Sequence, residues 1–427
     1  MTLYGRKLKQ LVKNKLVVLI GLFVLLFSLS ISFVAGFAFG TTTSLMGPIG
    51  NLLDTAQPKA PNAAALDSDL DQLREIMGKV AHSYVDPVSK EDLTNGAIDG
   101  MLESLDDPYT KHMKNEDYED FQEHTAGQFG GVGIELGIRE KRLTVIAPIK
   151  GTPAAEAGVQ AGDIITKIES TSTKEMSLDT AVDLIRGPVG TKIDLTFERE
   201  GTEDFNRIIT RDNIKMPNVN SKVIGEDLGY IMLHSFNRNA AVDVRAELKD
   251  LKKKNVRGII IDLRNNPGGL LDEAVNMTGI FIENETVVKI KSRNGKAEKL
   301  TTGRGGDNKI PLVVLINKGS ASASEIFAGA VSDLDRGILI GEKTFGKGSV
   351  QTVVSLSDRS GLVMTTAKYL TPKNRSLNKK GVKPDKVVKL PNEDFHKMGT
   401  DKDSQLLKAR EVLRDLIGGK TVKEARK

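Results

Sequence analysis

The chain has no cysteine. That excludes disulfides, thiol nucleophiles, thiolate zinc sites and iron–sulfur ligation. It leaves the redox compartment open, because extracytoplasmic proteins can do without disulfides. Histidine is scarce: His82, His112, His124, His234 and His396 are scattered and show no HExxH spacing. Each reads as a surface or packing residue, and no metal site is expected. Proline is low, 14 residues against 41 glycines, so the glycines point to tight turns rather than disorder. Also missing is any basic stripe interleaved with aromatic residues. The 61 basic and 56 acidic residues alternate along the chain and leave a formal net charge of +5. This is a mixed-sign surface, and no nucleic-acid partner is expected.

What is present is an ordinary globular composition, 39% hydrophobic and 27% charged, over 427 residues. That length suggests two or three domains with ample core. Residues 16–39 form a 24-residue uncharged run rich in Leu, Val, Ile and Phe. As a helix it would reach about 36 Å, enough to span a hydrocarbon core of about 30 Å. Arg6, Lys7, Lys9, Lys13 and Lys15 precede it without an acid. Residues 1–15 are therefore expected to be a cytoplasmic tail, residues 16–39 a single-pass signal-anchor in the cell membrane, and the rest extracytoplasmic. A cleaved signal peptide is the rival reading; this run is longer than such apolar regions, and Ala35-Gly36-Phe37-Ala38 is an imperfect cleavage site. Residues 40–65 are small, polar and Pro-containing and read as a linker.

Residues 66–127 read as a helical region, with apolar positions 66, 70, 73, 76, 77 and 80 forming a stripe. From residue 128 to 212 alternating strand-like runs and Gly-rich turns describe a compact unit. Residues 213–391 alternate strands and helices, with the near-continuous apolar run 256–263 of the kind buried on both faces of a sheet. This argues an α/β core. Residues 392–427 form a C-terminal helical extension, with a helix over 401–417.

Three segments carry candidate chemistry. Ser320, Ser322 and Ser324 crowd the start of a helix that follows a buried strand. A serine there can face a ligand, with nearby backbone N–H groups ready for an oxyanion. Ser322-x-x-Glu325 is equally a capping box, so this segment alone leaves nucleophile and cap open. The segment Gly341–Lys347 nearly spells a phosphate-binding loop, but Gly348 stands where the metal-binding hydroxyl belongs, and a strand pattern follows instead of a helix. A lysine held between Gly346 and Gly348 suits general-base work if it is buried, because desolvation lowers its pKa; an exposed turn lysine is the plain alternative. If a strand begins at Lys347, Gln351 shares its face and can hold its amine. The third segment, Asp262 to Gly269, leaves the C-terminal end of the buried strand, where α/β folds place ligands. Its Gly268-Gly269 pair allows backbone amides close to a ligand, or is a tight turn.

Together these segments resemble the carboxyl-terminal processing, or tail-specific, proteases. The resemblance rests on Asp107-Pro108-Tyr109-Thr110, Leu263-Arg264-x-Asn266-x-Gly268-Gly269, Ser320 to Glu325, Thr344 to Gln351 and Gly381-Val382-x-Pro384-Asp385, in that order, over roughly residues 70–390. The resemblance implies a crotonase/ClpP-like α/β protease core with an inserted α+β PDZ domain at 128–212. It implies Ser322 as nucleophile, Lys347 as general base and Gln351 as its orienter. Backbone amides of Ala323, Gly268 and Gly269 would line the oxyanion hole. Asp333 sits where some relatives carry a supporting acid and is left out of the catalytic set. Gly130, Gly131, Val132, Gly133 and Ile134 would form the carboxylate-binding loop of the PDZ domain, which adds a peptide strand to a sheet edge. The same stretch misses the dinucleotide fingerprint, since Leu136 stands where a glycine is needed. The implied protein is a serine endopeptidase acting on polypeptides with apolar C-termini, without metal or other cofactor, as a homodimer. The alternatives are a non-catalytic PDZ tail-binding scaffold and a crotonase-like acyl-thioester enzyme.

Overall fold

A computed structural model describes residues 63–427 except 294 and 296. The expected cytoplasmic tail, the membrane-spanning run 16–39 and nearly all of the linker lie outside the described residues. Among the described residues no helix is long and apolar enough to cross a membrane. The chain divides into two compact units: Gln122–Pro217, and the remainder on either side of it.

The larger unit is built on a six-stranded sheet. Its order is Val219–Ile224, Leu228–Leu233, Gly258–Asp262, Leu312–Ile316, Ile338–Gly341 and Lys386–Val387. The first pair is antiparallel and every later pair parallel. Every residue of Gly258–Asp262 and of Leu312–Ile316 is buried, because both faces are covered. Ile259 and Ile261 pack with helices Ala240–Lys253, Leu271–Phe281 and Ala323–Asp333. Ile260, Val313 and Leu315 point the other way, onto Leu406, Ala409, Val412 and Leu413 of helix Ser404–Ile417. The C-terminal segment is thus a layer of the core. Each large apolar side chain it buries contributes about 1.5–3 kcal/mol.

A second sheet flanks the first: Lys111–Met113, Gly361–Leu370, Thr286–Ser292 and Ala297–Thr301, with Ser349–Ser355 paired to Gly361–Leu370. Lys111–Met113 corrects the all-helical reading of 66–127. Three residues are too few to show a period, and pairing with Gly361–Val363 is what fixes them as a strand. The hairpin 286–301 is likewise absent from the sequence reading.

The smaller unit holds a sheet ordered Ile134–Arg139, Arg142–Pro148, Ile164–Ile168, Lys192–Glu198 and Phe205–Thr210, with the short strand Thr171–Ser172 on Ile164–Ile168. Val132, Val145, Ile165, Ile193, Leu195 and Phe197 fill its core, together with Ala181 and Ile185 of helix Leu178–Ile185. A separate ribbon pairs Gln128–Gly131 with Asp212–Lys215.

Candidate active site

The three serines of residues 320–324 have different fates. Ser320 Oγ donates to the carbonyl of Leu263 at 2.7 Å and accepts from the Asn317 N–H at 3.0 Å. Ser324 Oγ donates to the carbonyl of Asn266 at 3.0 Å. Both therefore bolt the segment to the loop after strand Gly258–Asp262. Ser322 Oγ is fully buried and makes no hydrogen bond among the described residues. Its backbone stands at φ 52°, ψ −112°, a conformation costing of order 1–3 kcal/mol for a residue with a Cβ. Of a capping box with Glu325 only one half is made: the carboxylate accepts from the Ser322 N–H at 3.0 Å. The Glu325 N–H, however, bonds the Ser322 carbonyl at 2.9 Å, and no full-quality bond reaches Oγ. A strained, unpaired hydroxyl at a helix start fits a nucleophile better than a cap.

Glu325 does more than cap. It is completely buried. Besides the Ser322 N–H, its carboxylate accepts from the N–H of Gly346 and of Lys347, both at 2.8 Å, and from the Thr344 hydroxyl. One side chain thus braces the backbone of Ser322 against that of Lys347. Burial pushes its carboxyl above the usual range, against the pull of these four donors. The Ser-x-x-Glu spacing marks Glu325 only as a helix cap and carries no trace of the second loop it binds.

Lys347 lies in the turn between strands Ile338–Gly341 and Ser349–Ser355 and is 1% exposed. Burial lowers its amine to about 7; the charges of Asp107 and Glu325 work against that shift and Lys111 adds to it. An amine at that value is half neutral near neutral pH, as a general base requires. Its Nζ stands 4.4 Å from the centroid of the Tyr109 ring.

Gln351 departs from the expected geometry. Ser349 and Gln351 do share a face: Gln351 Nε2 donates to Ser349 Oγ at 2.8 Å and to Thr365 Oγ1 at 3.2 Å. A register shift between Val350 and Gln351 interrupts the strand there. Gln351 Oε1 is buried and makes no hydrogen bond among the described residues, so it does not hold the lysine amine here. It is a free acceptor.

The loop after Gly258–Asp262 runs against the serine. A Cβ on Gly268 would stand 2.8 Å from Ser322 Cβ and 2.9 Å from the Ala323 N, and its φ is +106°. Only glycine fits. The Gly268 N–H is already given to Asn266 Oδ1 at 2.9 Å, which corrects its expected place among the oxyanion donors. The N–H groups of Gly269 and of Ala323, the first residue of its helix, make no hydrogen bond among the described residues. Asp333, at the far end of that helix, receives the Lys373 N–H at 2.8 Å and pairs with Arg375. Behind the loop, Arg264 is buried between Asp262 at 2.5 Å and Asp403 at 2.7 Å.

In the smaller unit, the carbonyls of Gly130, Val132 and Gly133 are bonded by the N–H groups of Gly187, Ala154 and Ile149, respectively. The N–H groups of Val132 and Gly133 make no hydrogen bond among the described residues. Gly133 has φ +80°, and a Cβ there would stand 2.3 Å from the Thr152 side chain. Ile134 begins the edge strand Ile134–Arg139, beside helix Leu178–Ile185. Free amides leading into an unpaired strand edge are what strand addition needs.

Residues 227–388 match Peptidase family S41, residues 144–199 match the PDZ domain and residues 41–117 match the activating protease CtpB N-terminal domain. The chain is 36% identical over 332 residues to the carboxy-terminal processing protease CtpA of Bacillus subtilis, covering 78% of this chain and 71% of that one. It is 41% identical over 330 residues to a carboxy-terminal-processing protease of Bartonella bacilliformis, covering 76% of each. Among solved structures, the photosystem II D1 C-terminal processing protease is 33% identical and covers 75% of this chain and 93% of that one, with a TM-score of 0.46. No such match favours a non-catalytic scaffold. The chain belongs to the carboxy-terminal-processing serine proteases of peptidase family S41.

Proposed function

We propose that Ser322 is the nucleophile, Lys347 the general base, and that Gly269 and Ala323 supply the oxyanion donors. The observation that carries this is the unpaired, strained Ser322 Oγ among three serines of which the other two are bonded. In this reading the neutral Lys347 amine takes the Ser322 proton as Oγ attacks the scissile carbonyl. The two backbone N–H groups receive the negative charge that develops on the carbonyl oxygen. The ammonium then protonates the leaving amine, and the amine form, restored, activates water to release the acyl group and regenerate Ser322. Gln351 Oε1, a buried acceptor without a donor, is the group that would orient the amine during these steps.

The smaller unit would capture apolar C-terminal tails on its edge strand, with the tail carboxylate on the N–H groups of the 130–134 loop. Residues 16–39 would anchor the protein in the membrane, with the protease on the outer side, as a homodimer. The decisive comparison uses the full chain and an unstructured polypeptide ending in an apolar tail. Wild type cleaves it, Ser322→Ala and Lys347→Ala do not, and a charged tail slows cleavage. Equal cleavage by Ser322→Ala would end the proposal.

A further inference from the structure

Asp107-Pro108-Tyr109-Thr110 is a matched segment with no part in the chemistry above. The structure folds it into a clamp. Asp107 accepts from the Tyr109 N–H at 3.2 Å and from the Thr110 hydroxyl at 2.6 Å. Thr110 Oγ1 accepts from the Thr365 N–H at 3.1 Å, and Lys111–Met113 is sewn to Gly361–Val363. These bonds hold the turn against the same strand whose Thr365 hydroxyl receives Gln351. They leave the Tyr109 ring facing the Lys347 amine at 4.4 Å. Neither Ser322 Oγ nor Gln351 Oε1 bonds that amine. The charged and titratable groups around it are Asp107, Tyr109 and Lys111 from the N-terminal segment and Glu325 from the helix.

We propose that Tyr109 is a positioning residue for the base: its ring face screens Lys347 from water and seats the ammonium formed each time the amine takes a proton. An aromatic face attracts a cation through its quadrupole, most strongly where water is excluded. The ring also occupies space that water would otherwise fill beside the amine. Burial is the leading cause of the lowered amine, opposed by Asp107. Removing the ring withdraws its attraction for the ammonium, which lowers the amine pKa, and admits water, which raises it; because burial is the leading cause at this amine, the net movement is upward and raises the pH at which the base becomes available. The residue acts through Lys347 and bonds no reacting atom. The inference rests on the Ser322/Lys347 reading.

The test is the pH–rate profile of the full chain on an unstructured polypeptide with an apolar tail, from about pH 5 to about pH 10. Tyr109→Leu is expected to move the acid limb upward by about one unit and to lower kcat about tenfold, with KM within about twofold. Tyr109→Phe, which keeps the ring, is expected to bring the limb back to the wild-type position. An unmoved limb in Tyr109→Leu overturns the inference, and so does a Tyr109→Phe variant as impaired as Tyr109→Leu. If Tyr109→Leu loses its cooperative unfolding transition, Tyr109→Met takes its place in the same comparison. Lys347→Ala, run alongside, separates the two claims: if it stays active the Ser/Lys reading fails, whereas an inactive Lys347→Ala beside an unmoved Tyr109→Leu limb removes only the role of Tyr109.

Discussion

At the scale of single residues, the environment of each group decides its chemistry. Lys347 must be neutral to accept a proton, and burial sets its amine at about 7. Activity should therefore rise as pH climbs through about 7 and level off above it, which a kcat profile reads directly. Glu325 gives a second prediction. Glu325→Ala strands the N–H groups of Ser322, Gly346 and Lys347 in a buried site. At about 1–3 kcal/mol for each unsatisfied group, the loss in unfolding free energy should be at least about 3 kcal/mol by denaturant titration. Activity should fall with it, because serine and lysine lose their common brace. The sequence singled out the Ser320–Ser324, Lys347 and Gly268-Gly269 segments, but local pattern left cap and nucleophile, turn and ligand loop open, and only the family resemblance assigned them roles. The role of Glu325 was not legible, because it depends on a loop that the sequence places about twenty residues away. Neither was the Gly268 amide, whose partner Asn266 lies two residues upstream and looks like an ordinary turn residue.

At the scale of elements, the glycine loop is tied to its neighbours on both sides. Gly268→Ala puts a Cβ within 2.8 Å of Ser322 Cβ at φ +106°. The strain should cost about 2 kcal/mol and displace the serine, visible as loss of kcat with a smaller drop in unfolding midpoint. Behind the loop, Asp403→Ala would leave the buried Arg264 with one acid of two. The cost should approach about 3 kcal/mol in chemical denaturation. The two central strands were readable because residues 258–261 and Leu312–Ile316 are apolar runs. The hairpin Thr286–Ser292 with Ala297–Thr301 is hard to read from sequence, since Lys289, Lys291, Glu298 and Lys299 dilute its apolar pattern. The strand Lys111–Met113 exists only through its partner.

At the scale of the whole molecule, one chain joins a PDZ domain to an S41 protease. The order of motifs along the sequence was enough to name both. What it could not give is which side chains meet: Tyr109 and Lys347 lie in the two separate stretches of sequence that make up the larger unit and meet only in the fold. Ser322, and neither serine beside it, is the proposed nucleophile. The most direct measurement treats the full chain with a fluorophosphonate and locates the adduct by peptide mass mapping. A single adduct on Ser322, absent from Ser322→Ala and greatly slowed in Lys347→Ala, is the predicted result. An adduct on Ser320 or Ser324, or labelling of Ser322→Ala at the wild-type rate, would contradict the account.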